Sequence, residues 1–484
     1  MSEPLEPKEK AAMLEAERSA RKEDVLKLIS QNNVKILNLC HIPEDGRLKT
    51  LSFAISDPAK TEEILELGER VDGSSLFSFL EPGKSDIYIM PILQKSFTNP
   101  FSPISTLNIL CDYLDDRGEP LEAAPQNVLT RAERSLFSAS GTVLKALAEL
   151  EFYITSKQES EPLFPAYSDR NYHDSAPFTR FEAVRNEILA TLPIIGIETK
   201  YGHSEVGRID GKDGEFSEQQ EIELAAQNLN RIAESVSLAK WVIRNVCAKY
   251  HLSVSFSPKI AVKHAGTGMH IHICALRNGR NLIANKDRTL SKEAIEMIGG
   301  ILKFAPSLPA FANPTPISYL RFIAHKESPM HICWSERNRL ALIRIPLWRK
   351  LGKRSLEADE CGETFEYRAP DAFANPYMLL AGITVATSYG LNNPKEALKI
   401  ADALHLKNNE EQRPSQTLPL SCSESADNLA RDRWLYESEG VFPTRLIDKT
   451  IESLKSYKDK NLWQKLANKP DEIEKVLKQY RHYG

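Results

Sequence analysis

Two pairs of polar residues, each at a spacing of two, could bind a divalent metal. Glu149 and Glu151 lie in an otherwise apolar segment, and His270 and His272 alternate with apolar residues. On a β-strand, residues two apart point to the same face, so each pair would present both groups together. Buried carboxylates repel each other unless a cation neutralises them or one takes up a proton, and imidazole is a frequent metal ligand. The spacing therefore indicates a metal site.

Each pair also has a simpler interpretation. Glu149 and Glu151 could form the solvated face of an edge strand, and His270 and His272 could be hydrogen-bonded residues of the core. A cupin-like oxygenase also uses His-x-His, but it needs a glutamate a few residues later. The sequence Ile-Cys-Ala-Leu-Arg follows at 273–277 instead, which disfavours the cupin hypothesis.

Basic residues that could bind phosphate occur later in the chain. Arg337, Arg339 and Arg344 lie within eight residues beside apolar neighbours, and guanidinium groups pair well with phosphate. Surface salt bridges are the alternative, and Glu366 with Arg368 alone would indicate only a cross-strand ion pair. Taken with the carboxylates and imidazoles, these residues match what phosphoryl transfer from a metal–nucleotide requires.

These residues need strands to hold them. Alternating apolar residues predict strands at 34–39, 48–55, 85–91 and 106–112, and the first two form a hairpin around the turn at 43–46. Further strands are predicted at 146–154, 194–205, 264–276 and 365–368. Helices are predicted at 7–31, 127–147, 218–251 and 446–480, and at 375–389, where Asn375 caps the helix and Pro376 opens it.

The bulk composition is that of an ordinary globular protein. A chain of 484 residues favours two domains, and the net charge of -4 suggests neither a nucleic-acid partner nor a membrane surface. Seven cysteines without a CxxC pair favour a reducing, cytoplasmic setting over a disulfide framework. The N-terminus is too charged for a secretory signal, and no apolar run is long enough to span a bilayer.

A series of short motifs runs along the chain in order. They are Asp72-Gly73-Ser74-Ser75, Glu149-x-Glu151-Phe152, Tyr167 with Asp174-Ser175-Ala176, His203-Ser204-Glu205-Val206, Gly266-Thr267-Gly268-Met269-His270-x-His272, Ser318-Tyr319-x-Arg321, Glu327-Ser328-Pro329, Arg337-Asn338-Arg339, Phe365-Glu366-x-Arg368-x-Pro370-Asp371 and Asn375-Pro376-Tyr377. This series resembles the glutamine synthetase family, and the likeness extends from about residue 34 to residue 448.

The resemblance implies an α+β fold with a small N-terminal β-grasp domain and a large catalytic domain, a curved antiparallel sheet with helices. We expect an N-terminal helical arm at 1–31, the β-grasp domain at 32–120 and the catalytic domain at 121–484. The implied activity is ATP-dependent ligation of ammonium to the γ-carboxylate of glutamate through γ-glutamyl phosphate, in nitrogen metabolism. The implied assembly is a cytoplasmic dodecamer of two stacked hexamers, with active sites between subunits.

The resemblance also implies a role for each motif residue. Two or more Mg²⁺ or Mn²⁺ ions would occupy each site, one held by Glu151, Glu205 and Glu221 and another by Glu149, His270 and Glu366. His272, Cys274 and Arg344 would lie beside ATP, and Arg339 with Arg344 would neutralise the moving phosphoryl group. The glutamate substrate would bind to Gly266, Arg321 and Arg368. Asp72 and Tyr167 would form the ammonium pocket, and Glu327 would close the site and take a proton.

Several positions depart from the family pattern. Ala265 replaces an asparagine that contacts the amino-acid substrate, and Cys274 replaces a serine near the nucleotide. Insertions at 207–218 and 351–362 leave two choices open. The third metal ligand could be Glu215 or Glu223 in place of Glu221, and the basic residue beside the nucleotide could be Arg349, Lys353 or Arg354. A γ-glutamyl ligase for another amine, such as a polyamine or alkylamine, and a catalytically silent ring protein are the alternative functions.

Overall fold

The structure is a computed structural model that describes residues 7–157, 164, 167–211, 214–323, 328–348, 361–407 and 416–483; the side chains of residues 7–18 and of Lys84 are not described. The chain divides into two compact units. The first comprises Met1–Ala124 with Pro193–Gly196, and the second comprises Pro125–Leu192 with Ile197–Gly484.

The first unit is built on a five-stranded sheet. Its elements are α1 (Pro7–Gln31), β1 (Ile36–His41), β2 (Lys49–Ala54), α2 (Pro58–Leu67), β3 (Glu69–Asp72), β4 (Asp86–Thr98) and β5 (Thr106–Leu114). The strand order is β2-β1-β5-β4-β3, with β1 parallel to β5. The predicted hairpin of β1 and β2 is confirmed, with Ile36 opposite Ala54. Leu37, Leu39 and Ile109 are fully buried in its core.

A buried histidine makes the stability of this first unit depend on pH. His41 is 5% exposed, and its Nδ1 lies 2.7 Å from the Tyr113 hydroxyl oxygen. Burial, and then Lys49, lowers the pKa of His41 from 6.5 to about 4. The unfolded chain therefore takes up a proton between pH 6.5 and pH 4 that the folded unit does not. The contribution of neutral His41 to the free energy of unfolding is complete above pH 6.5. As the pH falls from 6.5 to 4, up to about 3 kcal/mol of this free energy is lost.

We therefore expect the melting temperature to fall more steeply between pH 6.5 and pH 4 in the wild type than in His41→Gln, which has no imidazole to protonate. Differential scanning calorimetry at half-unit pH steps measures both slopes. Parallel slopes would show that His41 does not titrate in this way.

The second unit carries a ten-stranded sheet. Its strands are β6 (Val143–Lys157), β7 (Thr199–Asp210), β8 (Glu215–Leu224), β9 (Gln227–Asn228), β10 (Ser253–Ser255), β11 (Met269–Arg277), β12 (Arg280–Asn281), β13 (Trp334–Glu336), β14 (Ile343–Ile345) and β15 (Phe365–Tyr367). The main path runs β13-β14-β15-β11-β6-β8-β7, while β9 and β10 pair with β6 and β12 pairs with β11. From β14 to β7 along this path every pairing is antiparallel.

Helices make up most of the remainder of the second unit. They are α3 (Pro125–Ser140), α4 (Glu182–Thr191), α5 (Leu229–Lys249), α6 (Lys292–Phe304), α7 (Pro309–Ala312), α8 (Pro316–Ile323), α9 (Pro376–Asn392), α10 (Pro394–Ala403), α11 (Cys422–Tyr436), α12 (Thr444–Ser456), α13 (Leu462–Leu466) and α14 (Pro470–Tyr480). The Asn375 cap is confirmed, because its side chain accepts hydrogen bonds from the backbone N–H groups of Tyr377 and Met378. None of the described helices is both long and apolar enough to cross a bilayer.

Two helix predictions were wrong at one end. The helix expected at 127–147 ends at Ser140, because Gly141 adopts a positive φ of 67° and β6 begins at Val143. The helix expected at 218–251 begins only at Leu229, and residues 215–224 form β8. The Glu- and Gln-rich stretch has helical propensity, but it pairs with strands on both sides. Tertiary pairing therefore overrides the local preference.

Candidate active site

Strand register gathers the acidic residues on one face of the large sheet. Glu149 on β6 lies between His270 on β11 and Glu223 on β8. Two residues further along β6, Glu151 lies opposite Glu221. Because residues two apart share a face, these five side chains project to the same side. The sequence spacing gave the pairs within a strand, and the pairing of the strands joins them into one site.

We call Glu149, His272 and Glu366 the first cluster, because one ligand atom from each lies within 4.8 Å of the others. Nε2 of His272 is 3.0 Å from Oε1 of Glu149. His270 is close by, with its Nδ1 2.9 Å from Oε2 of Glu149 and 3.5 Å from Oε1 of Glu366. Both imidazoles thus lie beside the carboxylates: His272 belongs to the first cluster, and His270, the predicted ligand, approaches both of its carboxylates.

Glu366 is fully buried between two guanidinium groups. Nη1 of Arg344 donates to its Oε2 at 2.8 Å, and Nη1 of Arg368 donates to its Oε1. Burial raises the pKa of Glu366, but Arg368 and His272 outweigh this effect and hold the pKa below its usual range. Arg344 and Arg368 therefore both lie at the first cluster. The family resemblance implies that Arg344 binds phosphate and that Arg368 binds the glutamate substrate.

We call His203, Glu205 and Glu221 the second cluster, which has the same spacing of ligand atoms. Nε2 of His203 lies 3.1 Å from Oε1 of Glu221. His203 had no predicted role, although it precedes Glu205 by two residues on β7 and so shares its face. The spacing rule that selected the other pairs would have found it. Glu215, an alternative third ligand, instead pairs with Arg481 at 3.0 Å.

Glu151 lies between the two clusters. Its Oε2 accepts hydrogen bonds from the Gly268 backbone N–H at 2.7 Å and from Nε2 of Gln219 at 2.9 Å. Its Oε1 is 3.8 Å from Nε2 of His270. One oxygen of Glu151 is thus bonded to the protein, and the other faces His270.

The electrostatics of these groups fit divalent cations. Burial, and then repulsion by Glu149, Glu151 and Glu205, raises the pKa of Glu221 well above its usual value. Burial alone would raise the pKa of Glu149 too, but the adjacent imidazoles lower it well below the usual value. A cation would relieve the repulsion at Glu221, and the carboxylates, which outnumber the imidazoles in each cluster, suit Mg²⁺ or Mn²⁺. The residues present therefore fit the metal ions that the family uses.

A buried arginine binds the segment after β15 and lies against the segment before β11. Arg321 is 3% exposed, and its Nη1 donates to the carbonyl oxygens of Ala369 at 2.8 Å and Pro370 at 3.2 Å. A Cβ at Gly268 would lie 2.7 Å from Nη2 of Arg321, so any larger residue there would force this guanidinium group to move. Gly266 is also close to Arg321, since its Cβ would lie 3.0 Å from Cγ. Arg321 and Gly266, both predicted substrate ligands, are thus adjacent.

Four rings lie beside the second cluster, and we call Tyr172, His173, Tyr201 and His203 the ring patch. The ring centroids of Tyr172 and His173 are 4.2 Å apart, and those of His173 and His203 are 4.3 Å apart. The guanidinium carbon of Arg339 lies 5.9 Å from the centroid of Tyr172. Arg339 therefore lies near the second cluster. Tyr167, which was predicted to form part of the ammonium pocket, is 70% exposed.

The remaining predicted residues fall in different places. Cys274 is buried on β11, two residues beyond His272, with its Sγ 3.7 Å from Nδ2 of Asn281. Asp72 belongs to the first unit, where its carboxylate accepts hydrogen bonds from the Ser74 and Ser75 hydroxyl groups, each at 2.8 Å. Glu327, Arg349, Lys353 and Arg354 lie outside the described residues.

Comparisons with known proteins identify the family. Residues 122–475 match the glutamine synthetase catalytic domain, and residues 33–116 match the glutamine synthetase β-grasp domain. The chain is 30% identical over 426 residues to glutamine synthetase of Thermotoga maritima, and the aligned region covers 86% of this chain and 92% of that protein. It is also 30% identical over 461 residues to a protein of Cupriavidus pinatubonensis named 3-hydroxylaminophenol mutase, covering 89% and 94% of the two chains.

A solved structure has the same fold. The cryo-EM structure of Plasmodium falciparum glutamine synthetase superposes with a TM-score of 0.76 at 20% identity, covering 93% of this chain and 98% of that one. The chain therefore belongs to the glutamine synthetase family, with a β-grasp domain followed by the catalytic domain. Members of this family are ligases that use ATP and divalent metals.

Proposed function

We propose that this protein ligates ammonium to the γ-carboxylate of glutamate, with ATP supplying the phosphoryl group. The observation that carries the proposal is the single sheet face on which the first and second clusters lie together, with Arg344 and Arg368 bound to Glu366. This arrangement combines carboxylates and imidazoles for cations with guanidinium groups for anions, as phosphoryl transfer requires.

The residues of this face would have different roles in the reaction. Mg²⁺ or Mn²⁺ bound at the two clusters would offset the charge of the ATP phosphates. Arg344, partly exposed beside the first cluster, and Arg339 would neutralise the phosphoryl group during its transfer to glutamate. We propose that Arg321, Arg368 and Gly266 orient the glutamate, and that His272 and Cys274 lie beside ATP.

Asp72 is suited to attract ammonium. Hydrogen bonds from the hydroxyl groups of Ser85, Ser74 and Ser75 hold the pKa of Asp72 far below its usual range. The carboxylate therefore stays charged at physiological pH, which favours binding a cation but makes it a weak base. We propose that Asp72 and Tyr167 bind ammonium and that Glu327 accepts its proton. The free amine then attacks γ-glutamyl phosphate and releases glutamine and phosphate.

The assembly and location follow the family resemblance. We propose a cytoplasmic dodecamer of two stacked hexamers, in which a neighbouring copy supplies Asp72. We also propose the domain limits of 1–31 for the arm, 32–120 for the β-grasp domain and 121–484 for the catalytic domain. Dilution to monomers should then abolish turnover. A monomeric fraction from size-exclusion chromatography that kept full activity would contradict a shared site.

The experiment that tests the proposed function is phosphate release from ATP with Mg²⁺. We expect release only when both glutamate and ammonium are present, with glutamine formed in equal amount. Release that requires glutamate and a different amine would identify another γ-glutamyl ligase. No release from a well-formed oligomer, with nucleotide and metal still bound, would support a silent ring protein.

A second candidate is ligation of an organic amine, and the ring patch favours it. Aromatic faces attract organic ammonium groups, and Tyr172 and Tyr201 are 43% and 47% exposed beside the second cluster. The relative named 3-hydroxylaminophenol mutase also shows that names within this family are not uniform. A panel of alkylamines, polyamines and aromatic amines, with phosphate release as the readout, separates the two candidates.

If an organic amine is the substrate, Tyr172→Ala should raise the KM for that amine by about two- to thirtyfold, because a cation–π contact contributes about 0.5–2 kcal/mol. The KM for ammonium should change much less, since ammonium is small enough to bind without the ring. Tyr250→Ala, which alters a half-exposed tyrosine at the end of α5, is the matched control. An equal rise for both amines would exclude a role for the ring patch in amine selection.

A further inference from the structure

Glu223 lies on the metal-binding face but has no part in the proposed chemistry. It lies on β8, opposite Glu149 on β6 and opposite Tyr201 on β7. It therefore occupies the same row as Glu149, next to the first cluster. Its side chain is 1% exposed, so it is removed from solvent in the same way as the predicted ligands.

Only one oxygen of this carboxylate is satisfied. Oε1 accepts a hydrogen bond from Nζ of Lys200 at 2.6 Å, whereas Oε2 is buried and makes no hydrogen bond of normal geometry to a described residue. The Tyr201 hydroxyl is a further neighbour of this carboxylate: burial, and then Glu223, raises the pKa of Tyr201. A buried carboxylate oxygen without a partner costs free energy. An oxygen in this state is available to a cation.

The environment of Glu223 is shared with the ligand clusters. Burial lowers the pKa of His272, but the neighbouring carboxylates, Glu149 first and Glu223 among them, raise it above its usual value. The charge of Glu223 also adds to the repulsion that Glu221 experiences. The strand register places Glu223 beside both clusters, since it lies opposite Glu149 and two residues from Glu221.

Lys200 reaches Glu223 through an irregularity in β7. The pairing of β7 with β8 shifts between Thr199 and Tyr201, so Lys200 is the extra residue of a bulge. A bulge re-aims the side chain that it carries, and the Lys200 ammonium lies beside Glu223 and 5.1 Å from the Tyr201 ring centroid. The Lys200 side chain remains 50% exposed, so its ammonium can leave Glu223 for solvent at little cost.

We propose that Glu223 is a further ligand of the divalent cation bound by the carboxylates of the first cluster, Glu149 and Glu366, and that this cation displaces Lys200 from Glu223. The inference rests on the metal binding assumed in the proposed function. In the absence of the cation, Lys200 neutralises the carboxylate and keeps it in the row with Glu149. When the cation arrives, Glu223 exchanges a single positive charge for a divalent one.

Because Lys200 and the cation compete for one carboxylate, the two substitutions have opposite effects. Glu223→Gln keeps the side-chain volume but removes the charge, so it should weaken Mn²⁺ binding at one site by about 10- to 100-fold, the range for supporting ligands of a metal. Lys200→Met removes the competitor, so it should tighten Mn²⁺ binding at that site about threefold or more. A residue that only supported the fold would weaken binding in both variants.

The test is Mn²⁺ binding to the full-length protein, followed by electron paramagnetic resonance and isothermal titration without nucleotide or glutamate. Lys249→Met is the matched control, since Lys249 pairs with Glu187 at 2.8 Å on another part of the second unit, and it should bind Mn²⁺ like the wild type. If Glu223→Gln does not fold, Glu223→Asp takes its place, because it keeps the charge but shortens the side chain, so that only a direct ligand predicts weaker Mn²⁺ binding.

The outcomes separate this inference from the proposed function. A wild type that binds Mn²⁺ at the clusters, together with a Glu223→Gln variant of equal affinity, would overturn the role of Glu223 and leave the ligase proposal intact. Weaker binding in Lys200→Met would overturn the competition. A wild type that binds no Mn²⁺ would contradict both proposals.

Discussion

Glu149→Gln should lose about 1,000-fold of its turnover number and the Mn²⁺ affinity of the first cluster. Glu149 is the carboxylate that both imidazoles approach, with His272 at 3.0 Å and His270 at 2.9 Å. The glutamine side chain has nearly the same shape but offers a neutral and weaker oxygen ligand. Metal stabilisation of transferring phosphoryl oxygens contributes several kcal/mol, and each 1.36 kcal/mol is tenfold in rate.

The measurement pairs steady-state phosphate release with Mn²⁺ titration by electron paramagnetic resonance. Glu218→Gln is a suitable control, because Glu218 is also a buried glutamate of the same sheet, but it pairs with Arg208 and accepts from the Thr179 hydroxyl at 3.0 Å. We expect Glu218→Gln to lower the melting temperature without removing a Mn²⁺ site. If Glu149→Gln kept its full Mn²⁺ affinity, the first cluster would not be a metal site.

Glu366→Leu should destabilise the protein by about 3–5 kcal/mol, the usual cost of removing one partner from a buried ion pair. Glu366 is fully buried, and its loss leaves the buried Arg368 and the partly buried Arg344 without their shared anion. The two guanidinium groups would then repel each other where little water can screen their charges. Mn²⁺ binding at the first cluster should be lost in the same variant.

Thermal unfolding in the absence of metal measures the stability effect separately from the binding effect. Arg433→Gln is the matched control, because Arg433 likewise joins two carboxylates, those of Glu437 and Asp448, but does so near the surface. Surface ion pairs contribute about 0–1 kcal/mol, so this variant should melt close to the wild type. Equal destabilisation of the two variants would mean that the burial of Glu366 does not matter.

The spacing of residues within each strand could be predicted from the sequence. Glu149 with Glu151 and His270 with His272 share a face whichever strands lie beside them, because the strand repeat is two residues. The cap at Asn375 is equally local, since an Asn side chain and the N–H groups two and three residues later lie on the same short stretch of chain. Such features depend only on neighbours in sequence.

Features that depend on the pairing of strands were harder to predict from the sequence. The stretch from 215 to 224 was expected to be partly helical, and it becomes β8 only because β6 and β7 flank it. The spacing of two from Glu205 would have selected His203, but the same rule also selects Glu223 beside Glu221. The register of β8 with β6 and of β7 with β8 determines which of these side chains lie together on one face.

The sequence by itself thus determined the family, the order of the motifs and the pairs of potential ligands within each strand. The tertiary structure decided how these pairs combine. It brought both His270 and His272 beside Glu149, added His203 to the second cluster, and brought Lys200 to Glu223 through a bulge. The reason is physical: a period of two fixes the face on which a side chain lies, whereas contacts across strands depend on register and irregularities that distant segments impose.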